Sequence, residues 1–347
     1  MQTVVRKGMT FEFHPMKGPM TTQSLKGLRN QEPYHWRGDQ ANFAAFKTVF
    51  NAVMGGAEPP AGDMTTFQNF IDTLEFQPNP YQNLDRSLPS DAGGADANAG
   101  LKIFSTQAFF RNGKCLFCHA LPSGTSTLIV PAPVNQLPQA YVVPQLRNIY
   151  QKLLFDNTPG AESIDGFGLV NDGADAGVAK FLSNPVFGSF ATDKRVHAPL
   201  DAFLRSFDTG VAPAVGYTLT VTAANVHDSS ITHDWAVLES QAAPSRSWVF
   251  PAILAQGSRH FPMQHIQGCD LIVKGTIHGR LHGLLYLPAS DTYATDRTGL
   301  GPFSHADLVA LIEAGDTMSP MGVPPSAGVW MGIHRNLDGV LDGDSSK

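Results

Sequence analysis

Cys115, Cys118 and His119 stand in the run Cys-Leu-Phe-Cys-His, whose spacing is the signature of covalent haem attachment. Two thiols three residues apart can add across the two vinyl groups of one haem, and the adjacent imidazole then reaches the iron from one face. Only 3 cysteines occur in 347 residues, so the pattern is not a by-product of cysteine abundance. A zinc site would need a further Cys or His pair at short spacing, which does not follow. Cys269 is left over, and its apolar, strand-like setting in QGCDLIVKG predicts a buried, inert thiol.

What such an iron does depends on its second axial position. No methionine lies between His119 and Gly210, the neighbours being Met64 before and Met263 after, so a ligand from within this segment is not a thioether. Two distal candidates remain. His197, in the charged segment DKRVHAPLD, reads as an exposed helix residue unless it ligates. Tyr141 is either a ligand or a half-buried aromatic whose hydroxyl finds a loop carbonyl. A second constellation closes the chain. HRNLDGVLDGD resembles an Asp-rich calcium loop, with Asn336, Asp338, Asp342 and Asp344 as the oxygens. His334 stands where that pattern has its first Asp, which removes one carboxylate, and a solvated acidic tail is the competing reading.

Stepping from these residues to the elements that carry them, Asp39 to Phe76 reads as two helices. The first places Phe43, Phe46, Val49, Phe50, Val53 and Met54 on one face. The second, capped by Asp63, repeats Met64, Phe67, Phe70, Ile71 and Leu74. Both stripes predict core. A Pro/Asn run and a Gly/Ala/Asp run then mark a linker. From Ala99 a helix with Leu101, Phe104 and Ala108 leads into the haem motif, and helical spacing recurs at Gln145 to Leu154, Asp175 to Ser183 and Pro199 to Phe207. Beyond Gly216 the period changes to two, LIVKGTIHGRLHGLLYLP reads as a hairpin, Ser304 caps a short helix, and GVWMGI reads as a last strand. The expected fold class is thus mainly α, cytochrome c-like, followed by a smaller α+β C-terminal domain. Its boundaries are 1–90 for a partial cytochrome-like unit without its own C-x-x-C-H, 91–213 for the haem domain, and 214–347 for the α+β domain with its Asp-rich tail. The seven histidines between Gly216 and Ile333 have irregular spacings and read as surface or hydrogen-bonded residues.

A weak internal repeat aligns MTTQSLKGLRN with YVVPQLRNIYQ through Leu25 and Leu146, and HWRGDQANFAAF loosely with LVNDGADAGVAKF. It sets Met20 on the register of Tyr141. FHPMKGPM supplies His14, Met16 and Met20 as further possible ligands, and Arg37 in HWRGD could pair with haem propionates.

CLFCHALPSGT, VVPQLRNIYQK, DGFGLVNDGA and FLRSFDTGVAPAVG resemble the bacterial di-haem cytochrome c peroxidase superfamily, and more closely its large multidomain secreted cytochromes. The resemblance covers nearly the whole chain and implies two cytochrome units in a longer parent, with the haem of the first unit attached upstream of Met1. Met20 would then serve that upstream haem. It also implies a periplasmic or extracellular location, since haem of this type is attached outside the cytoplasmic membrane.

Net charge −6 with no basic block argues against nucleic acid as a partner, and no run of about 18 apolar residues can span a bilayer. The leading expectation is an electron-transfer module carrying one haem c, served by a redox partner protein or a small electron donor or acceptor. A di-haem-type peroxidase or oxidase, and a binding or structural domain stapled by its haem, are the alternatives.

Overall fold

The computed structural model describes residues 2–6, 8–13, 16, 18–91, 94–109, 112–153, 166–244 and 267–345. The chain divides into two compact units, one of residues 1–77 and 88–210, the other of 78–87 and 211–347.

The first unit begins with an antiparallel hairpin of β1 (Gln2–Arg6) and β2 (Met9–Phe13). Short helices follow: α1 (Lys47–Ala52), preceded by a 3-10 turn at Phe43–Phe46, and α2 (Ala61–Ile71). α2 starts after Pro60 rather than at Asp63, because Pro fits the entry to a helix where no N–H partner is needed. Next come α3 (Ala97–Thr106), α4 (Cys115–Cys118), β3 (Ile129–Val130), α5 (Ala132–Asn135), β4 (Tyr141–Val142), α6 (Val178–Leu182), α7 (Ser189–Thr192) and α8 (His197–Arg205).

The packed heart of this unit is α3 on α8. Asp96 caps α3 by accepting from the Asn98 N–H, and Leu101 and Phe104 bury against Leu200, Phe203 and Phe207, with the Phe104 and Phe203 rings 5.1 Å apart. The helices cross at Gly100. A Cβ there would stand 1.9 Å from the Pro199 carbonyl oxygen, so no larger residue allows the approach.

The rest of the unit is not the mainly α fold that the periodicity predicts. About 32% of the structure is helical and 14% is strand, and most helices here are of one to three turns. The apolar spacing from Gln145 to Leu154 yields only a 3-10 turn at Ile149–Gln151, with Leu154 outside the described residues. Leu146, Ile149 and Leu153 are buried from a run of turns, which shows that burial every three or four residues is not confined to α-helices.

The internal repeat has a structural counterpart, shifted by one residue from the sequence alignment in its second half. Tyr34 bridges Gln40 and Leu169 bridges Asp175, closing two matched turns. His35 (φ 66) matches Val170 (φ 68), and Gly38 (φ 68) matches Gly173 (φ 76), all in left-handed backbone. The copies grip each other reciprocally: Thr21 N–H donates to the Asn171 carbonyl at 2.8 Å, and Val142 N–H donates to the Trp36 carbonyl at 2.8 Å. The Trp36 indole donates to the Thr21 carbonyl at 2.8 Å and so closes one side of this exchange.

The second unit is a four-stranded antiparallel sheet with helices. It holds α9 (Ser229–Ala242), β5 (Asp270–Ile277), β6 (Arg280–Leu287), β7 (Thr292–Thr295), α10 (His305–Glu313), β8 (Met318–Val323) and α11 (Gly328–Gly332). Strand order is β7-β6-β5-β8. Leu271, Val273 and Leu284 point into one core with Trp235, Leu238, Leu308 and Ile312, while Ile272 and Leu285 face a smaller core with Val323 and Ala327. Alternate residues thus feed two cores, as the strand period requires. The hairpin and the Ser304 cap follow the sequence expectation, the cap as a reciprocal capping box with Asp307. GVWMGI does not form a strand. Gly328–Gly332 is a helical turn, and the last strand is instead Met318–Val323, which pairs with β5. Cys269 is fully buried, its thiol pushed up to about 12 by that burial.

Candidate functional site

The attachment motif occupies one helical turn and its exit. α4 runs from Cys115 to Cys118, and His119 leaves it with its N–H on the Cys115 carbonyl at 2.8 Å. In a helical turn residues three apart lie on one face, so Cys115 and Cys118 share a side of α4. Both cysteines are free and half-buried. Burial pushes the Cys115 thiol up to about 12 and raises that of Cys118. Phe117 between them is 74% exposed, so the turn presents a bare aromatic beside the two sulfurs.

The His119 imidazole is fixed from behind. Its Nδ1 lies 2.7 Å from the Gly124 carbonyl oxygen. Nδ1 therefore carries the proton, leaving Nε2 as the lone-pair donor that an iron requires. Burial holds this imidazole below its ordinary pKa, against the opposing pull of the Gly124 and Pro144 carbonyls. The Phe104 ring stands 6.5 Å from it, tying the histidine to the α3 and α8 pair. Gly124 delivers its carbonyl from left-handed backbone (φ 73), and a Cβ there would meet Leu146 Cβ at 2.6 Å. The sequence reading passed over this glycine. Its only signal was its place five residues after the histidine, in a run with Pro122.

The distal candidates are placed differently from expectation. His197 is not an exposed helix residue: it is 5% exposed at the start of α8, and its Nε2 lies 2.7 Å from the Phe190 carbonyl oxygen. The charged neighbours that suggested exposure, Asp193 and Arg195, pair with each other on the surface instead. Tyr141 is 8% exposed in β4, and its hydroxyl accepts from Gln139 Nε2 at 3.1 Å, a side-chain amide and not the loop carbonyl expected of it.

Met20 and His35 line a cavity of about 1110 Å³ in the same unit, whose lining includes none of Cys115, Cys118 and His119. Met16 is 77% exposed and His14 lies outside the described residues, as do His260, Met263 and His265. Arg37 is 2% exposed, with Nη1 donating to Gln139 Oε1 at 3.2 Å and Nη2 3.7 Å from Asp39 Oδ2.

In the tail, each of the three candidate carboxylates has a protein partner. Asp344 accepts from Thr298 N–H and Oγ1, Asp342 from the Arg335 N–H at 2.8 Å, and Asp338 from Val340 N–H and from Asn336 Nδ2. Among the described residues no group of three or more His, Cys, Asp or Glu side chains gathers around a common point. No helix among them is long and apolar enough to cross a membrane.

No protein-family model, no curated protein and no solved structure matches this chain.

Proposed function

We propose that the chain is a c-type cytochrome module that carries one haem on Cys115, Cys118 and His119 and transfers electrons. The observation that carries the reading is the combined arrangement of two cysteines on one helical turn and an adjacent imidazole whose Nδ1 is held by the Gly124 carbonyl. The donor set fits the group: two sulfurs for the vinyl carbons and Nε2 for the iron. When bound, the haem supplies a one-electron redox couple. The protein residues then do three things: the cysteines fix the macrocycle, Gly124 orients the imidazole, and the Phe104 and Phe203 layer beneath His119 gives a rigid, low-dielectric backing that limits reorganisation.

The compartment that goes with this chemistry is periplasmic or extracellular, and the partner is a redox protein or a small electron carrier. The resemblance to the di-haem peroxidase superfamily would place Met20 toward a second haem, and Met20 does line the large cavity. The test is a redox titration followed by visible spectra on protein carrying covalent haem. One reversible low-spin transition supports electron transfer. A high-spin ferric form that reacts with peroxide moves the assignment to an oxidoreductase. Absence of covalent haem after expression with the haem-attachment machinery removes the proposal.

A further inference from the structure

A dense set of titratable and aromatic groups lies in the second unit, shared among α9, β6, β7 and α10. The Tyr293 hydroxyl donates to Glu239 Oε1 at 2.5 Å, and the Trp235 indole N–H donates to the Tyr293 oxygen at 2.8 Å. His305 Nδ1 lies 2.7 Å from the same Glu239 oxygen, with its ring 4.6 Å from that of Trp235. The Tyr286 ring stands 5.0 Å from that of Tyr293, and its hydroxyl donates to Asp291 Oδ1 at 2.7 Å. Tyr293 is 0% exposed and Trp235 1%, whereas Tyr286 is 9% exposed and Asp291 lies at the surface, so the series runs from the core outward. Burial pushes the Tyr293 hydroxyl well above its ordinary pKa, and the Glu239 charge adds to it. Giving up a proton alone is therefore barred to this phenol. Giving up an electron and a proton together is not, because loss of the electron removes the phenol's hold on its proton and Glu239 is already in line to take it.

We propose that Tyr293 is a redox-active tyrosine, which gives one electron through Tyr286 to an oxidant at the surface while its proton moves to Glu239. An oxidant of the class of the carbonate radical anion takes up the electron and becomes carbonate. The Tyr293 O–H bond breaks, the proton bonds to Glu239 Oε1, and a neutral phenoxyl remains. One electron from a soluble reductant such as ascorbate, with the proton returned from Glu239, restores the phenol. Each neighbour has a part in this. The Trp235 N–H holds the phenoxyl oxygen, complete burial keeps the ring from coupling with another molecule, and Tyr286, with Asp291 as its own base, is the step to the outside. Tyr217 gives the contrast: it too donates to a carboxylate, on Asp234, but at 36% exposure it lacks the enclosure. All of these groups belong to the second unit, so the inference does not rest on haem attachment at Cys115 and Cys118.

The experiment is electron paramagnetic resonance on the full chain, produced with ordinary or with ring-deuterated tyrosine and frozen at increasing delays after oxidation by photo-excited ruthenium tris-bipyridine with a cobalt(III) quencher. The expected result is a neutral tyrosyl signal, narrowed by the deuterium, that is lost in Tyr293→Phe, kept in Tyr217→Phe and discharged by ascorbate. Glu239→Gln keeps an acceptor for the hydroxyl but supplies no base, and should slow formation of the radical on the order of a hundredfold. Tyr286→Phe should slow it by less. Hydrogen bonds that served packing alone would produce neither dependence. Absence of a tyrosyl signal, a signal that survives Tyr293→Phe, or formation that is indifferent to Glu239→Gln or to Tyr286→Phe overturns the proposal. Should Tyr293→Phe fail to fold, the Glu239→Gln comparison decides alone.

Discussion

The two units spend their apolar residues in opposite ways. In the second unit Trp235, Leu238, Leu271, Leu284 and Tyr293 are all buried to within 1% of completely, and they enclose one another between a sheet and two helices. In the first unit α3 and α8 do this, with Val178 and Phe190 buried as well, while Phe50, Met54, Phe67 and Phe70 border a cavity. Among the described residues, the core of the second unit is closed by its own side chains. In the first unit Phe117 beside the two cysteines and the wall of the cavity leave apolar side chains uncovered. The difference teaches that hydrophobic periodicity reports which face avoids water and is silent on what covers it.

The largest effect expected from breaking this contrast is at the attachment turn. Replacing Cys115 and Cys118 together by Ala should abolish covalent haem, read as loss of haem stain on a denaturing gel, and His119→Ala should remove the low-spin spectrum. The second unit should be indifferent to both, with unchanged melting of its sheet. Full haem stain in the double variant would defeat the main assignment.

Next in size is the core of the second unit. Leu271→Ala should cost about 2–5 kcal/mol, because the residue is completely buried and its neighbours cannot collapse onto the space. Chemical denaturation checks this, and the haem spectrum should persist while the second unit unfolds. Parallel loss of both signals would show that the units are not independent.

How much of this was legible beforehand differs by unit for the same physical reason. The β5 and β6 hairpin and the Ser304 cap could be read because strand alternation, a His278-Gly279 turn and a capping box are local. Cys115, Cys118 and His119 stand out in the sequence because C-x-x-C-H is the spacing that the proposed haem attachment would demand. The mainly α expectation failed in the first unit, where Pro144 and left-handed positions such as Gly124 and Val170 shape an irregular path whose buried residues mimic helical spacing. His197 was misplaced because the charges around it were taken to describe its own surroundings. Its ring turns inward to the Phe190 carbonyl while Asp193 and Arg195 stay outside. The Gly124 carbonyl could not be found from spacing, since a five-residue loop leaves its direction open.

A smaller effect concerns the iron's far side. With no methionine between His119 and Gly210, the ferric protein should lack a sulfur-to-iron band and have a potential below that of His/Met cytochromes. Tyr141→Phe should alter the spin state if the phenol approaches iron, whereas His197→Ala should chiefly cost stability, because it leaves the buried Phe190 carbonyl without its donor. A spectrum changed only by His197→Ala would instead mark a bis-His centre, and a strong sulfur band would mean that Met20 or Met263 reaches this haem.

The smallest effect is in the tail, where the calcium reading meets the contacts already made. Asp344 is held below its ordinary carboxyl pKa by the Thr298 hydroxyl and N–H, and Asp338 by the Val340 N–H and His334. A carboxyl lowered in the folded state contributes at any pH above its unfolded value of about 3.8, and that contribution fades as the pH falls through the lower folded value. Between neutrality and pH 5 these contacts should therefore be unaffected, and below about pH 4 the Thr298 amide should lose its protection from hydrogen exchange. Calcium acts on the same oxygens. Occupying a site would draw Asp338, Asp342 and Asp344 off donors on Val340, Asn336, Arg335 and Thr298, each of which would then need water. Millimolar calcium should accordingly move the melting temperature little and leave Thr298 exchange as it was. A clear rise in melting temperature that vanishes in Asp338→Ala would show that the tail rearranges into a cation loop, with His334 standing aside.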